Sequence, residues 1–303
     1  MLTYTSRRNL FGDLANNSSS ATLTLADTLM NISERQIIAG RDWPFLEKQY
    51  TLTTVADQQD YVLPPYTKKP ESVYITVGSY RYVPREVTLR TQWDNLNLTT
   101  VESDIPTHYF VYDGNISFYP TPSTAGKTIT INARRIFKDL TQADYTTGTV
   151  DIITNGDETV TGSGTTWTTP MVGRWLKVTP TDVAATSGDG VWYEIASRTS
   201  ATVVELVRKY GGTSLTTGAA AGYIIGEVGL LPETYQQVPV FDALGVYFTA
   251  HKPDKEKAQL YKTMANDLRG QMFREFASME SVVLDPDNSN ELVVQNPNLY
   301  ITG

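Results

Sequence analysis

Two histidines and no cysteine set the limits of the chemistry open to this 303-residue chain. His108 and His251 lie far apart in sequence, and neither has a second ligand at the short spacing by which proteins hold a metal, so both read as structural or exposed residues. Without cysteine there is no thiolate nucleophile and no disulfide framework, which suits folding in a reducing cytoplasm. Gly126-Lys127-Thr128 has the form of the end of a phosphate loop, but Thr121 stands where the first glycine is needed and a strand pattern follows instead of a helix. Gly162-Ser163-Gly164 lacks the spacing of a nucleophile elbow, with no histidine near it. Asp182, Asp189 and Glu194 are three of 33 acids and have no pattern that singles them out as a glycosidase pair. Asn31-Ile32-Ser33 has no meaning without a secretory route. The residues therefore predict no enzyme, no cofactor and no metal. One binding chemistry stays open: Trp167, Trp175 and Trp192 are candidate stacking platforms of a carbohydrate-binding β-module, although aromatics in strands more often belong to a core.

The charge pattern argues in the same direction. The formal charge is −8, yet residues 232–278 carry six acids and six bases, while residues 279–303 carry Glu280, Asp285, Asp287 and Glu291 and no base. A protein that grips phosphates needs clustered cations. Basic pairs such as Arg7-Arg8, Lys68-Lys69 and Arg134-Arg135 read as solvated surface. No window approaches the roughly eighteen apolar residues of a membrane span, and no apolar run follows the basic residues near the start, so neither a membrane protein nor a secreted precursor is expected.

The elements fall into place around residues 232–278, which read as two helices folded back on each other. The first, over 233–252, is apolar on almost every side, with Phe241, Leu244, Val246, Tyr247 and Phe248 on different faces; such a helix has to be surrounded. The second opens at Pro253, has Asp254 and Glu256 in its first turn, and repeats Leu260, Met264, Leu268, Met272 and Phe276 every four residues. Tyr261, Ala265 and Phe273 widen that stripe. Near the start, Ser18-Ser19-Ser20 offers caps for a helix over 22–40, which leads into Trp43-Pro44-Phe45-Leu46-Glu47, a hydrophobic plug at the junction with the following strands.

From 48 to 135 the period is two. Gly78-Ser79 and Asp113-Gly114 are turn dipeptides between alternating segments, the second calling for positive φ at both residues. Ile129, Ile131 and Ala133 point inward along one strand, and 88–100 suggests a short helix or an irregular segment. A second β-rich stretch, 147–226, is crowded with Thr and Gly; six short strands, with a tight hairpin at Asn155-Gly156, suggest a small barrel or sandwich. After 278 the apolar triplets Val282-Val283-Leu284, Leu292-Val293-Val294 and Leu299-Tyr300-Ile301 are spaced by polar residues, as in an extended arm that orders on docking. The expected fold is thus α+β: a helical bundle from the N-terminal helix and the C-terminal hairpin, a β-rich segment, an inserted small β-barrel or sandwich domain, and the arm. The boundaries are 1–146, 147–226, 227–278 and 279–303.

Taken together, Trp43-Pro44-Phe45-Leu46-Glu47, Tyr61-Val62-Leu63-Pro64, Ile105-Pro106-Thr107-His108-Tyr109 before the Asp113-Gly114 turn, Phe118-Tyr119-Pro120-Thr121-Pro122 and the closing helical hairpin with its tail resemble the head-to-tail connector, or adaptor, proteins of tailed bacteriophages. The Thr- and Gly-rich stretch looks like the β-domain inserted in some phage neck proteins. The resemblance implies a non-enzymatic virion protein, assembled in the host cytoplasm, forming a ring of twelve copies beneath the capsid portal, with the next neck or tail protein on its far side and DNA passing through without specific binding. It further implies that Phe241, Leu244, Phe248, Leu260, Met264, Leu268, Met272 and Phe276 belong to the ring-packing helices. Leu284, Leu292, Val293, Val294, Leu299, Tyr300 and Ile301 would meet the portal or a neighbouring subunit. The alternatives are another virion part, a stopper or tail-tube protein, and the carbohydrate-binding module above.

Overall fold

The computed structural model describes residues 1–277 together with two short strands, Val282–Val283 and Val293–Val294, which pair antiparallel. It is a mixed α+β fold. Helix α1, Tyr4–Ala15, begins where the Thr3 hydroxyl accepts from the Ser6 amide and ends at Asn16, whose φ of 48° breaks the helical path. Helix α2, Ser20–Ala39, starts from the predicted cap, with the Ser19 hydroxyl accepting from the Thr22 amide, and ends at Gly40. The short α3, Arg90–Leu96, lies in the segment expected to be helical or irregular. Helices α4, Val238–Ala250, and α5, Lys255–Ala277, form the hairpin.

Between the helices lie the sheets. A four-stranded antiparallel sheet has the order Glu47–Thr53, Thr128–Arg135, Thr67–Val77, Tyr80–Tyr82. Its inward residues Val73, Ile75, Ile129 and Ile131 share a core with Ile116 and Phe118 of a second sheet, ordered Asp60–Val62, Asn115–Tyr119, His108–Tyr112, Arg85–Glu86. Asp113 and Gly114 take φ of 46° and 73°, and Tyr112 pairs with Asn115, so the turn has two residues, as its sequence requires.

The Thr- and Gly-rich stretch forms a six-stranded sheet in the order Thr149–Ile153, Thr159–Ser163, Val203–Leu206, Trp192–Arg198, Trp175–Val178, Tyr223–Gly226. The backbone of Ala221 exchanges two 2.9 Å hydrogen bonds with Val150, and Leu215 exchanges bonds with Ile153. The run leading into the last strand thereby returns to the first, and the sheet is half closed into a barrel. Asn155-Gly156 does lie between paired strands, but the connection spans residues 154–158 and is no two-residue turn; Asn155 bonds the loop sideways, its amide donating to the Gly212 carbonyl.

Helices α1, α2, α4 and α5 share one core. Phe11 and Ala15 of α1, Met30 and Ile37 of α2, Leu244 and Phe248 of α4 and Ala265 and Met272 of α5 are all buried in it, along with Trp43. Helix α4 is enclosed over most of its length, as its composition demanded, with Val246 half-exposed and Thr249 and Ala250 exposed at its end. Helix α5 differs from the expected stripe. Its inner face runs Ala258, Tyr261, Ala265, Leu268, Met272, Phe276, whereas Leu260 is 55% and Met264 37% exposed. The reason is geometric: a strict four-residue repeat advances about 40° per step against a 3.6-residue turn, so five such positions spiral off one face.

Candidate assembly surfaces

The N-terminal segment meets the chain again at the point where it leaves the six-stranded sheet. The Tyr4 amide donates to the Glu227 carbonyl at 2.7 Å, and the Thr3 hydroxyl to Asp144 at 2.8 Å. Glu227 in turn accepts from the amides of Thr141 and Gln142 and pairs with Lys138. Deeper in, Arg7 pairs with Glu34, and both are essentially without solvent exposure. Glu34 also accepts from the Leu230 amide at 2.7 Å. Gly229 sits so close that a Cβ there would overlap the Glu34 carboxylate. The reading of Arg7-Arg8 as solvated surface is therefore wrong for Arg7. A buried arginine needs a carboxylate partner, and that partner lies 27 residues away, beyond any local pattern; the Nε and Nη2 of Arg7 are buried without a hydrogen-bond partner. Arg134 departs as well: its guanidinium sits among Asp42, Glu47 and Glu71. Lys68 and Lys69 are solvated as expected.

Trp43 is fully buried at the helix-to-strand junction, its Nε1 donating to the Ile37 carbonyl at 2.8 Å. Phe45 stacks on it at 5.4 Å, Phe273 lies at 5.0 Å, and Phe276 meets Phe45 edge-on at 5.0 Å. The plug thus holds the end of α5 beside the start of the strand Glu47–Thr53. On the opposite side of the hairpin Asp242 accepts from Ser33 and pairs with Arg269, joining α2, α4 and α5. Burial pushes its carboxyl above the usual range, partly offset by those two partners.

The candidate residues separate into three groups. Phe241, Leu244, Phe248 and Met272 lie inside the subunit's own core, with Leu268 and Phe276 packed against it. Leu260 and Met264 sit one turn apart on the outer flank of α5. Leu284, Leu292, Leu299, Tyr300 and Ile301 lie outside the described residues; Val293 and Val294 belong to the short strand named above. Of the three tryptophans considered as stacking platforms, Trp167 is in the core, its indole donating to the Tyr223 hydroxyl at 2.9 Å. Lys177 lies 4.9 Å over the Trp192 ring, and Trp175 is half-buried. His108 touches the Thr107 hydroxyl, and His251 stacks on Tyr247. Among the described residues no group of three or more His, Asp or Glu side chains is gathered so as to hold a metal ion, and no helix is long and apolar enough to cross a membrane.

Sequence reasoning missed a cleft of about 800 Å³ where the two β-rich parts and the helical layer meet. Lys48, Gln49, Tyr50 and Thr51 form one wall, Arg174 and Glu194 another, and Arg135, Lys138 and Glu227 the base. Lys48 pairs with Glu194 across it. Tyr66, Ile136, Val172 and Val207 line it while remaining about 40–50% exposed, an apolar rim open to solvent. No local signal announces it, since its walls come from segments more than a hundred residues apart.

Residues 3–159 match the family model of the SU10 adaptor protein, which spans α1 to the second strand of the six-stranded sheet. No curated protein matches the chain.

Proposed function

The chain belongs to the SU10 adaptor protein family, and on that premise we propose that this structural phage adaptor forms a homo-oligomeric ring of twelve copies in the neck, beneath the capsid portal. In this reading the ring joins head to tail and leaves a channel through which DNA moves. The six-stranded unit, residues 147–226, is an inserted domain turned toward the next neck or tail protein, and the arm 279–303 supplies the contact with the portal or a neighbouring subunit. The helices pack subunit against subunit.

The observation that carries the reading is the outer flank of α5. Leu260 and Met264 face solvent on a 23-residue helix whose other face already closes the subunit core. A second copy covering them would gain roughly 1.5–3 kcal/mol for each side chain fully buried. The balance of 33 acids against 25 bases suits a channel that does not hold phosphates. Electron microscopy and mass photometry of the purified protein, alone and with its portal, test the reading. The expected result is a ring that the double variant Leu260→Lys, Met264→Lys dissolves into folded monomers. Rings unaffected by both charges, or no ring with or without the portal, would refute it.

A further inference from the structure

The strand Glu47–Thr53 is the outer strand of its sheet. Its neighbour Thr128–Arg135 is paired residue for residue, and the Thr54 amide donates to the Lys127 carbonyl at 2.8 Å. Antiparallel alternation then turns the backbone groups of Lys48, Tyr50 and Leu52 toward that neighbour and those of Gln49 and Thr51 away from it. Gln49 and Thr51 line the cleft, so an unpaired strand edge forms one of its walls. An open edge of this kind is a template for another strand. The rest of the cleft adds two preferences. The rim of Tyr66, Ile136, Val172 and Val207 calls for apolar side chains. The lining holds four cations, Lys48, Arg135, Lys138 and Arg174, against two acids, Glu194 and Glu227, and the Nε of both arginines is buried without a hydrogen-bond partner.

We infer that this cleft is a strand-acceptor site and that its occupant is the chain's own C-terminal segment, residues 279–303. Three features of that segment match the site. It alternates apolar triplets with polar spacers, and it carries Glu280, Asp285, Asp287 and Glu291 with no base. It also departs from α5 next to the site: Phe276 packs on Phe45, two residues before the acceptor strand begins, and the Phe45 carbonyl accepts from Arg135 of the cleft base at 3.3 Å. The 26 residues beyond Ala277 can extend about 85 Å, far more than the roughly 23 Å length of a seven-residue strand. Val282–Val283 and Val293–Val294 already pair with each other, so the outer edge of that ribbon is what meets Gln49 and Thr51. The inference goes beyond the ring reading and narrows it: the ribbon takes the subunit's own cleft, and the contact with the portal or a neighbouring subunit falls to Leu299, Tyr300 and Ile301 beyond it, while the ring itself is tested separately at Leu260 and Met264.

Hydrogen exchange on the full-length protein tests it. The amides of Gln49 and Thr51 are expected to exchange at least about tenfold more slowly than that of Arg81, which points outward from the opposite edge of the same sheet. The variant Asp285→Lys, Asp287→Lys, Glu291→Lys should abolish that difference while leaving the paired amides of Thr128–Arg135 unchanged. Because the chain has no cysteine, Thr51→Cys combined with single cysteines scanned along 282–301 should also give an intramolecular disulfide at one or two positions. Equal exchange at the two edges, protection that survives the triple variant, or protection and cross-links that vanish on dilution, which would make the donor another copy, would each overturn the inference.

Discussion

The helical layer and the six-stranded unit are built on opposite principles. The helical layer buries charge: Arg7, Glu34 and Glu227 are each less than 10% exposed, with Gln236, Ser33 and Thr3 beside them. The six-stranded unit buries seventeen hydrophobic residues and, of polar ones, only Thr165. The difference follows from where the parts come from. The six-stranded unit is one contiguous stretch, residues 149–226, whose six strands pair with one another. The helical layer gathers residues 1–39, 137–144 and 227–277, segments that an apolar surface alone would let slide against one another. Directional bonds from Glu34 to Arg7 and Leu230, and from Glu227 to Thr141 and Gln142, fix which parts meet.

Removing one half of the buried pair should break the comparison most visibly. Glu34→Ala leaves Arg7 buried without its carboxylate, a loss of about 3–5 kcal/mol for the helical layer. Urea denaturation should show this layer unfolding early while the near-ultraviolet signal of the six-stranded unit persists. The double variant Arg7→Met, Glu34→Leu should recover most of the loss. If it fails to, the pair holds the layer by more than charge compensation.

The equivalent weak point of the six-stranded unit is steric. Gly148 has φ of 80°, and a Cβ there would lie 2.6 Å from the backbone of Ser163 and Gly164. Gly148→Ala should cost roughly 2–3 kcal/mol, through strain at positive φ and overpacking, and the transition it moves should be that of the six-stranded unit, leaving the helical layer where it was. A shift of both transitions together would show that the two regions unfold as one.

A smaller effect sharpens the electrostatic side. Asp242 in the helical layer has its carboxyl raised by burial. The folded state therefore holds that proton more tightly than the unfolded chain, whose carboxyl titrates near 4. Asp242 thus favours the fold in acid, and this contribution declines as pH rises from the unfolded value through the raised one. Denaturation midpoints of Asp242→Asn followed between pH 3 and 7 should lack that decline; an unchanged slope would mean that Ser33 and Arg269 fully compensate for burial.

How much of this was legible in the sequence depended on how local the cause is. The Asp113-Gly114 turn, the Ser19 cap of α2 and the inward series Ile129, Ile131, Ala133 are set by immediate neighbours, and each is found as read. Helix α1 was not foreseen, because YTSRRNLFGDLA has almost no apolar periodicity and its inner face includes an arginine. That face is explicable only with Glu34 in place. The stripe on α5 was visible, but repeating it every four residues carried Leu260 and Met264 to the outside. The cleft had no signature at all, since no single segment contains more than one of its walls.

The bonds from Tyr4 to Glu227 and from Arg7 through Glu34 to Leu230 also have a meaning in time. Translation at about 5–20 residues per second puts roughly 10–45 seconds between the synthesis of Arg7 and that of Leu230. During that interval the first helix has no completed partner surface. A polypeptide released early, with every strand of the six-stranded sheet made but α4 missing, would still lack the wall against which α1 packs. The network through Glu34 thus acts as a completeness check, coupling the conformation around Arg7 to the arrival of Leu230, 196 positions after Glu34.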